Sequence, residues 1–546
     1  MTGHTGHKDQ FVRDHLPSRE LWPEMVFSLP ELLYPPKLNC AAELLDRTAA
    51  SSPDEVCLIS PTVKLTYRQL QRMANQFANV LVHDLGLSPG NRVLLRGPNH
   101  PVLVAAWFAV LKAGGVVVTT NPLLRAKELS EIIQKANITH ALCDSRFSDE
   151  LEKARSSSPS LKFVVYWEGD LEALAASKPD DFSPVETASD DPALIAFTSG
   201  TTGKPKGCVH FHRDVLAICD TFAKHILRPS PQDVFMGSPH ISFTYGLGGL
   251  VLFPMRVGAK TVLLERATPE ILVEAIQEFR PTILFSSPTA YLAMSSMLAE
   301  GRVADLTSLR RCVSAGEALT ATVRKRWLDT TGIVLIDGIG STEMLHIFIS
   351  HTEEDVKPGA IGRPVPGYVA TVLDEEGRPA PKGEVGRLAV KGPTGCRYLD
   401  DNQRQREYVQ NGWNITGDAA LVDEDGYFVY QGRFDDLIVS AGYNISPIEV
   451  EEALLAHPAV AECGVVGAPD PERGQIVKAF VVLRPGYSPS AELVSELQNF
   501  VKGVIAPYKY PRAIEFCEHL PKTPTGKLQR AALRQWIGTH EHGGGL

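Results

Sequence analysis

The sequence has no Cys-x-x-Cys pair. Its nine cysteines are scattered over 546 residues, and an odd count without metal-ligand spacing fits thiols in a reducing cytoplasm better than a disulfide framework. Cationic excess is also missing: 54 Lys and Arg stand against 64 Asp and Glu, a formal net charge of −10. No global field draws a phosphate backbone, so nucleic acid is not an expected partner. No uninterrupted apolar run reaches the roughly 18 residues that span a bilayer, and no membrane partner is expected. Met1 to Gln10 is mostly Gly, His and Thr without an apolar segment. That is unlike a signal peptide, and the location expected is cytoplasmic. No internal repeat is present.

What is present is the composition of a soluble globular protein, 44% hydrophobic and 22% charged. The length exceeds one compact core and predicts two or more domains. The stretch Thr198-Ser199-Gly200-Thr201-Thr202-Gly203-Lys204-Pro205-Lys206-Gly207 organises the reading. Ala193 to Phe197 before it reads as a buried strand. Asp214 to Ile218 after it reads as a helix start with Asp214 near the N-cap. Glycines let the loop turn its N–H groups inward, while hydroxyls and two lysines sit among them. Such donors suit a polyphosphate. The loop is not a Walker P-loop, because Gly203-Lys204 is followed by proline where that pattern needs Ser or Thr. A flexible Ser/Thr/Gly-rich surface loop is the plainer alternative.

The rest of the N-terminal half alternates helix and strand: helix from an Asn39 cap through Thr48, helix Tyr67 to Leu85, strand Arg92 to Arg96, helix His100 to Ala113, strand Val116 to Thr119. That alternation predicts parallel sheets covered by helices. Ahead of it, Phe11 to Lys37 reads as an extended arm, and the ends, Met1 to Gln10 and His540 to Leu546, as mobile. Ile333 to Ile336 reads as a strand leading to Asp337-Gly338-Ile339-Gly340-Ser341-Thr342-Glu343. His346 falls on the side of Glu343 if that stretch turns helically. Strands on either side of Glu375 to Arg378 mark a β-rich unit, and the last hundred or so residues form a compact α/β unit.

Five segments then fall in a telling order: the Thr198–Gly207 loop, Asp337 to Glu343, Trp413-Asn414-Ile415-Thr416-Gly417-Asp418, Gly432-Arg433-Phe434-Asp435-Asp436, and Pro524-Thr525-Gly526-Lys527. The chain resembles the adenylate-forming superfamily of acyl- and aryl-CoA ligases, peptide-synthetase adenylation domains and luciferase. The Phe11–Lys37 arm with Leu38 to Leu45 is most similar to benzoate and 2-aminobenzoate CoA ligases. The resemblance implies an α/β fold. Residues 1–432 would form a large N-terminal domain of helix-covered sheets, with an arm at 1–38 and a small β-rich subdomain at about 361–432. A hinge at 433–436 would lead to a small mobile α+β domain at 437–546.

It also implies the site. Thr198, Ser199, Gly200, Thr201, Thr202 and Lys206 would cradle the phosphates of ATP. Gly316 and Glu317 would border the adenine with Asp337 and Gly338, and Asp418 and Arg433 would hold the ribose or a phosphate. Thr342 offers a hydroxyl to the α-phosphate, and Glu343 is a hard oxygen ligand suited to Mg²⁺. Relatives stack an aromatic on the adenine where this chain has Ile339, which supplies only dispersion. Lys527 would enter the site for adenylation. Phe243 occupies the place of a gating aromatic. Tyr245, Gly246, Ala315, Gly316, Gly338, Gly340 and His346 would line the acid pocket, His346 being equally readable as a satisfied structural histidine. Asp435 would absorb the hinge rotation, and Gly442, Tyr443 and Asn444 would lie beside the path of coenzyme A.

The implied reaction is ATP-dependent: a carboxylate becomes an acyl-AMP with release of pyrophosphate, then a thioester of coenzyme A. No tightly bound organic cofactor is expected, and a homodimer is compatible. Aromatic residues beside small ones suit a flat, compact acid, 2-aminobenzoate or benzoate first. Loading of a carrier protein and activation of medium-chain acids are the alternatives; an oxygenase of the luciferase kind and a nucleotide sensor without catalysis are more remote.

Overall fold

The computed structural model describes residues 4–199, 205–301, 305–440, 443–522 and 528–540. Two sheets build the larger part. One has the strand order Phe163–Trp167, His140–Asp144, Arg92–Arg96, Val116–Thr120, Pro192–Ser199, Pro205–Phe211. Its first five strands run parallel and the last is antiparallel. The short Val- and Leu-rich strands Arg92–Arg96 and Val116–Thr120 are buried almost throughout, as parallel strands covered on both faces must be. The helix Pro101–Lys112 is apolar almost all round and every one of its residues is buried.

The second sheet has nine strands. Its centre is parallel: Leu335–Gly340, Arg311–Ser314, Ile283–Ser286, Val234–Gly237, Lys260–Val262 and Val56–Ile59. Antiparallel strands finish both edges. Beyond it, Val369–Leu373, Gly386–Lys391, Val409–Gln410, Trp413–Val422 and Phe428–Arg433 form a small antiparallel sheet. The last unit has its own apolar core and its own sheet, Tyr443–Ile445, Ile438–Ser440, Gly474–Leu483, Val460–Asp470 and Ala513–Phe516. The helices Pro447–Leu455, Ala491–Val504 and Arg530–His540 accompany that sheet. It touches the preceding sheet where the Ser446 hydroxyl donates to the Gln431 carbonyl at 2.7 Å. Among the described residues no helix is long and apolar enough to cross a membrane. All nine cysteines are free thiols, eight of them buried.

Three readings are corrected. The phosphate stretch does not pass straight from loop to helix: it returns through Pro205–Phe211, and Asp214 sits in the first turn of the helix His212–Ile218, accepting from the Phe211 N–H at 3.0 Å. The strand before Thr342 runs on to Gly340, because Asp337 to Gly340 pair with Ile347–Ser350 or their parallel neighbour. The described part of the first ten residues is anchored. Asp191, fully buried, accepts from the Thr5 hydroxyl at 2.5 Å and the Gly6 N–H at 2.8 Å, and pairs with Arg13 at 2.7 Å. The arm that follows lies beside the small sheet, extended only between short helical turns at Phe11–Asp14, Arg19–Leu21 and Pro30–Leu32; its Val26 N–H donates to the Gly392 carbonyl and its Glu24 N–H to the Gly412 carbonyl, both at 2.9 Å.

Candidate active site

The described ends of the phosphate stretch lie on two paired antiparallel strands, Pro192–Ser199 and Pro205–Phe211. Thr198 stands opposite Lys206, and Ser199 opposite Pro205. Gly200, Thr201 and Thr202 lie outside the described residues, as does the side chain of Ser199. The returning strand carries Lys206 with its ammonium 5.9 Å from the centre of the Tyr398 ring.

A second element reaches the same ring. Leu335–Gly340 turns back into Ile347–Ser350 through Ser341 to His346, with Leu345 at a φ of +68°. This turn is not helical, so His346 does not share a helix face with Glu343. It holds Thr342 and Glu343, both half-buried. The Thr342 carbonyl accepts from Nε2 of His210 at 2.8 Å; a carbonyl only accepts, so that nitrogen carries the proton. Burial alone would lower the His210 imidazole. The facing Cys208 and Asp214 outweigh it and push the group up to about 9. The Glu343 carboxylate accepts from the Tyr398 hydroxyl at 2.6 Å. Burial and the charge of Glu343 push that phenol well above its ordinary range, so it remains a donor. Tyr398 and His210 were not singled out in the sequence.

Among the residues expected around the nucleotide, the Gly316 backbone has a φ of +89°, and a Cβ there would meet nothing within 4 Å. Glu317 accepts from the Thr289 hydroxyl at 2.6 Å. Burial pushes the Asp337 carboxyl up to about 7, against the pull of Arg324, whose guanidinium lies 3.7 Å away. Burial likewise raises Asp418, and Arg433 at 3.0 Å opposes it. Tyr430 also reaches Asp418, at 3.4 Å.

The expected acid pocket is an aromatic cluster. Tyr245 points its hydroxyl at the carbonyls of Ser286 and Val313, at 3.1 and 3.0 Å. His346 lies among Phe222, Tyr245 and Phe253, with ring centres 5.3, 5.8 and 4.7 Å away. Neither of its ring nitrogens has a hydrogen-bond partner among the described residues. Burial pushes the imidazole down to about 3, slightly offset by the Tyr245 backbone, so it is neutral. A Cβ on Gly246 would strike the His240 carbonyl at 2.3 Å, one on Gly338 the Ile347 side chain at 2.7 Å, and one on Gly340 the His346 carbonyl at 2.7 Å. These three glycines are required by the packing of the protein on itself. Ala315 is buried and Phe243 is exposed.

The remaining expected residues belong to the last unit. Asp435 sits in the short 3₁₀ turn Phe434–Asp436. Tyr443 is exposed and stacks on Tyr508, ring centres 4.4 Å apart. Gly442 and Lys527 lie outside the described residues, as does the side chain of Asn444.

Residues 45–397 match the AMP-binding enzyme family, and residues 449–527 match the AMP-binding enzyme C-terminal domain. A benzoate–CoA ligase of Thauera aromatica is 37% identical over 516 residues, 92% of this chain and 97% of that protein. A solved anthranilate CoA ligase in complex with anthranoyl-AMP superposes with a TM-score of 0.88 at 34% identity, over 94% of this chain and all (100%) of that one. A benzoate CoA ligase from Burkholderia xenovorans gives 0.82 at 35% identity, over 91% and 100%.

Proposed function

The chain belongs to the AMP-binding enzyme family as an AMP-forming acid–CoA ligase, and from that premise we propose that its acid is aromatic, 2-aminobenzoate or benzoate. The acid attacks the α-phosphorus of ATP and pyrophosphate leaves. The thiol of coenzyme A then attacks the acyl carbon of the acyl-AMP, and AMP leaves as the thioester forms. Both partners of the first step are anions, so the site works by positioning and by masking charge.

The observation that carries this reading is the meeting of two elements at one ring: Lys206 of the phosphate hairpin over Tyr398, and the hydroxyl of Tyr398 on Glu343. Thr198 and Lys206, with the residues between them in the chain, hold phosphate. Thr342 donates to the α-phosphate, Asp418 accepts from the ribose, and Lys527 enters for adenylation. Mg²⁺ fits Glu343. One carboxylate oxygen is taken by Tyr398, and no described residue donates to the other. Among the described residues no three metal-ligand side chains cluster. This is the environment of an ion that keeps water and phosphate oxygens as its other ligands. When bound, it would neutralise phosphate charge.

The acid preference rests on the buried, neutral His346 among three aromatic rings. Flat rings favour a flat acid, and a buried imidazole beside them favours one with a hydrogen-bonding ring substituent such as the 2-amino group. Anthranoyl-AMP is the ligand named for the structural relative above.

The test is a panel of acids with pyrophosphate and thioester measured separately. The expected result is acid-dependent pyrophosphate release and a CoA thioester, fastest with 2-aminobenzoate or benzoate. Faster turnover of decanoate would overturn the aromatic preference, and faster loading of a carrier protein than of free coenzyme A would overturn the acceptor.

A further inference from the structure

The strand that returns from the phosphate hairpin does more than carry Lys206. Its neighbour, the segment Cys396 to Leu399, is stitched to it on both sides of Tyr398: the Val209 N–H donates to the Arg397 carbonyl at 2.9 Å and the Leu399 N–H to the Gly207 carbonyl at 2.8 Å. The Tyr398 N–H donates to the side-chain oxygen of Gln405 at 2.9 Å. Next in the chain, Arg397 is fully buried and pairs with Asp214 at 2.8 Å, its guanidinium over the rings of Phe211 and Trp22 at 4.2 and 5.0 Å. The Tyr398 ring is 2% exposed and meets Tyr408 edge-on, ring centres 5.8 Å apart. Few tyrosine hydroxyls could be held more firmly, and this one is spent on the carboxylate of Glu343.

Glutamate has three rotatable side-chain bonds and would otherwise sample many positions. A hydrogen bond to a charged acceptor from an immobile donor selects among them. His210 fixes the other end of the same dipeptide through the Thr342 carbonyl.

We propose that Tyr398 is a positioning residue for adenylation: its hydroxyl commits one carboxylate oxygen of Glu343 to the protein and leaves the other for a divalent cation. This rests on the reading of Glu343 as the cation ligand. Partners that orient metal ligands in this way typically change metal affinity or activity by 10- to 100-fold when removed. Tyr398 touches neither substrate nor metal; it acts through Glu343.

Tyr398→Phe removes only the hydroxyl and keeps the buried ring. Binding of a non-hydrolysable ATP analogue is titrated against Mg²⁺ by calorimetry in the whole chain. The Mg²⁺ concentration for half-maximal binding is expected to rise at least about tenfold, with binding in EDTA unchanged. Thioester formation from preformed acyl-AMP and coenzyme A is expected to hold. Glu343→Asp keeps the charge but withdraws it from the hydroxyl, so it is expected to raise the Mg²⁺ requirement similarly. Adding Tyr398→Phe to it is expected to change little more. That variant carries the test if Tyr398→Phe does not fold.

An unchanged Mg²⁺ requirement in Tyr398→Phe, with Glu343→Gln losing Mg²⁺-dependent binding, overturns the role of Tyr398. An unchanged requirement in Glu343→Gln itself overturns the assignment of the cation ligand. Fully additive effects of the two substitutions also overturn the proposal, since they would show that the residues act separately.

Discussion

Arg433 holds Asp418: its Nη1 lies 3.0 Å from the carboxylate and donates to the Thr416 carbonyl at the same distance. Burial favours the neutral form of Asp418, and the guanidinium opposes it. The residue that ends the strand Phe428–Arg433 thus favours the charged form of a carboxylate proposed to accept ribose hydroxyls, against the larger effect of burial.

Removing that guanidinium should therefore add a pH dependence as well as a binding defect. In Arg433→Ala the Asp418 carboxyl titrates at a higher pH than in the parent. The KM for ATP should rise in general, and rise further as the pH is lowered. A KM ratio between variant and parent that does not change with pH would disprove the influence of Arg433 on the Asp418 charge.

Lys527 is proposed for the first half-reaction alone. Lys527→Ala should slow adenylation at least about 10²-fold, the scale of one lost donor to developing charge. Preformed acyl-AMP should still react with coenzyme A at a rate much closer to that of the parent. Equal losses in the two assays would refute the division of labour.

If residues 433–436 act as a hinge, stiffening them should separate the same two steps. Asp435→Pro fixes one backbone angle and is expected to spare adenylation more than thioester formation. Single-turnover acyl-AMP formation and steady-state thioester production measure the two. Parallel decline would contradict the hinge.

The aromatic cluster supplies a fourth prediction. A Cβ on Gly248 would stand 2.4 Å from the His346 ring and 3.0 Å from Phe253, and the surrounding rings leave His346 little room to shift. Gly248→Ala should cost about 1–3 kcal/mol of stability as overpacking, seen in denaturant midpoints. The KM for 2-aminobenzoate should rise more than that for ATP. If the acid KM stays put while stability falls, His346 does not face the acid.

Much of this was legible because short β-branched strands and amphipathic helices leave unambiguous patterns. Arg92–Arg96 and the helix Tyr67–Asn79, continued as a wider turn to Asp84, fall where the periodicity puts them. Pro205–Phe211 was hidden because its opening Pro, Lys and Gly have loop character, and only pairing with Pro192–Ser199 makes it a strand. The turn before His346 was hidden because Leu345 adopts a left-handed conformation that leucine rarely takes. Tyr398 was invisible for another reason. Its partner Glu343 is 55 residues away, and nothing in the local pattern of Thr394 to Leu399 announces a hydrogen bond across that separation.

The clasp on Asp191 has a practical consequence. Thr5, Gly6 and Arg13 close over a carboxylate that immediately precedes Pro192, the first residue of the strand ending in Thr198 and Ser199. Trimming a dozen or so leading residues, by protease or by cloning, would uncover a buried negative charge at the root of the strand proposed to hold ATP. The damage would surface at the far end of that strand, as weakened grip on ATP.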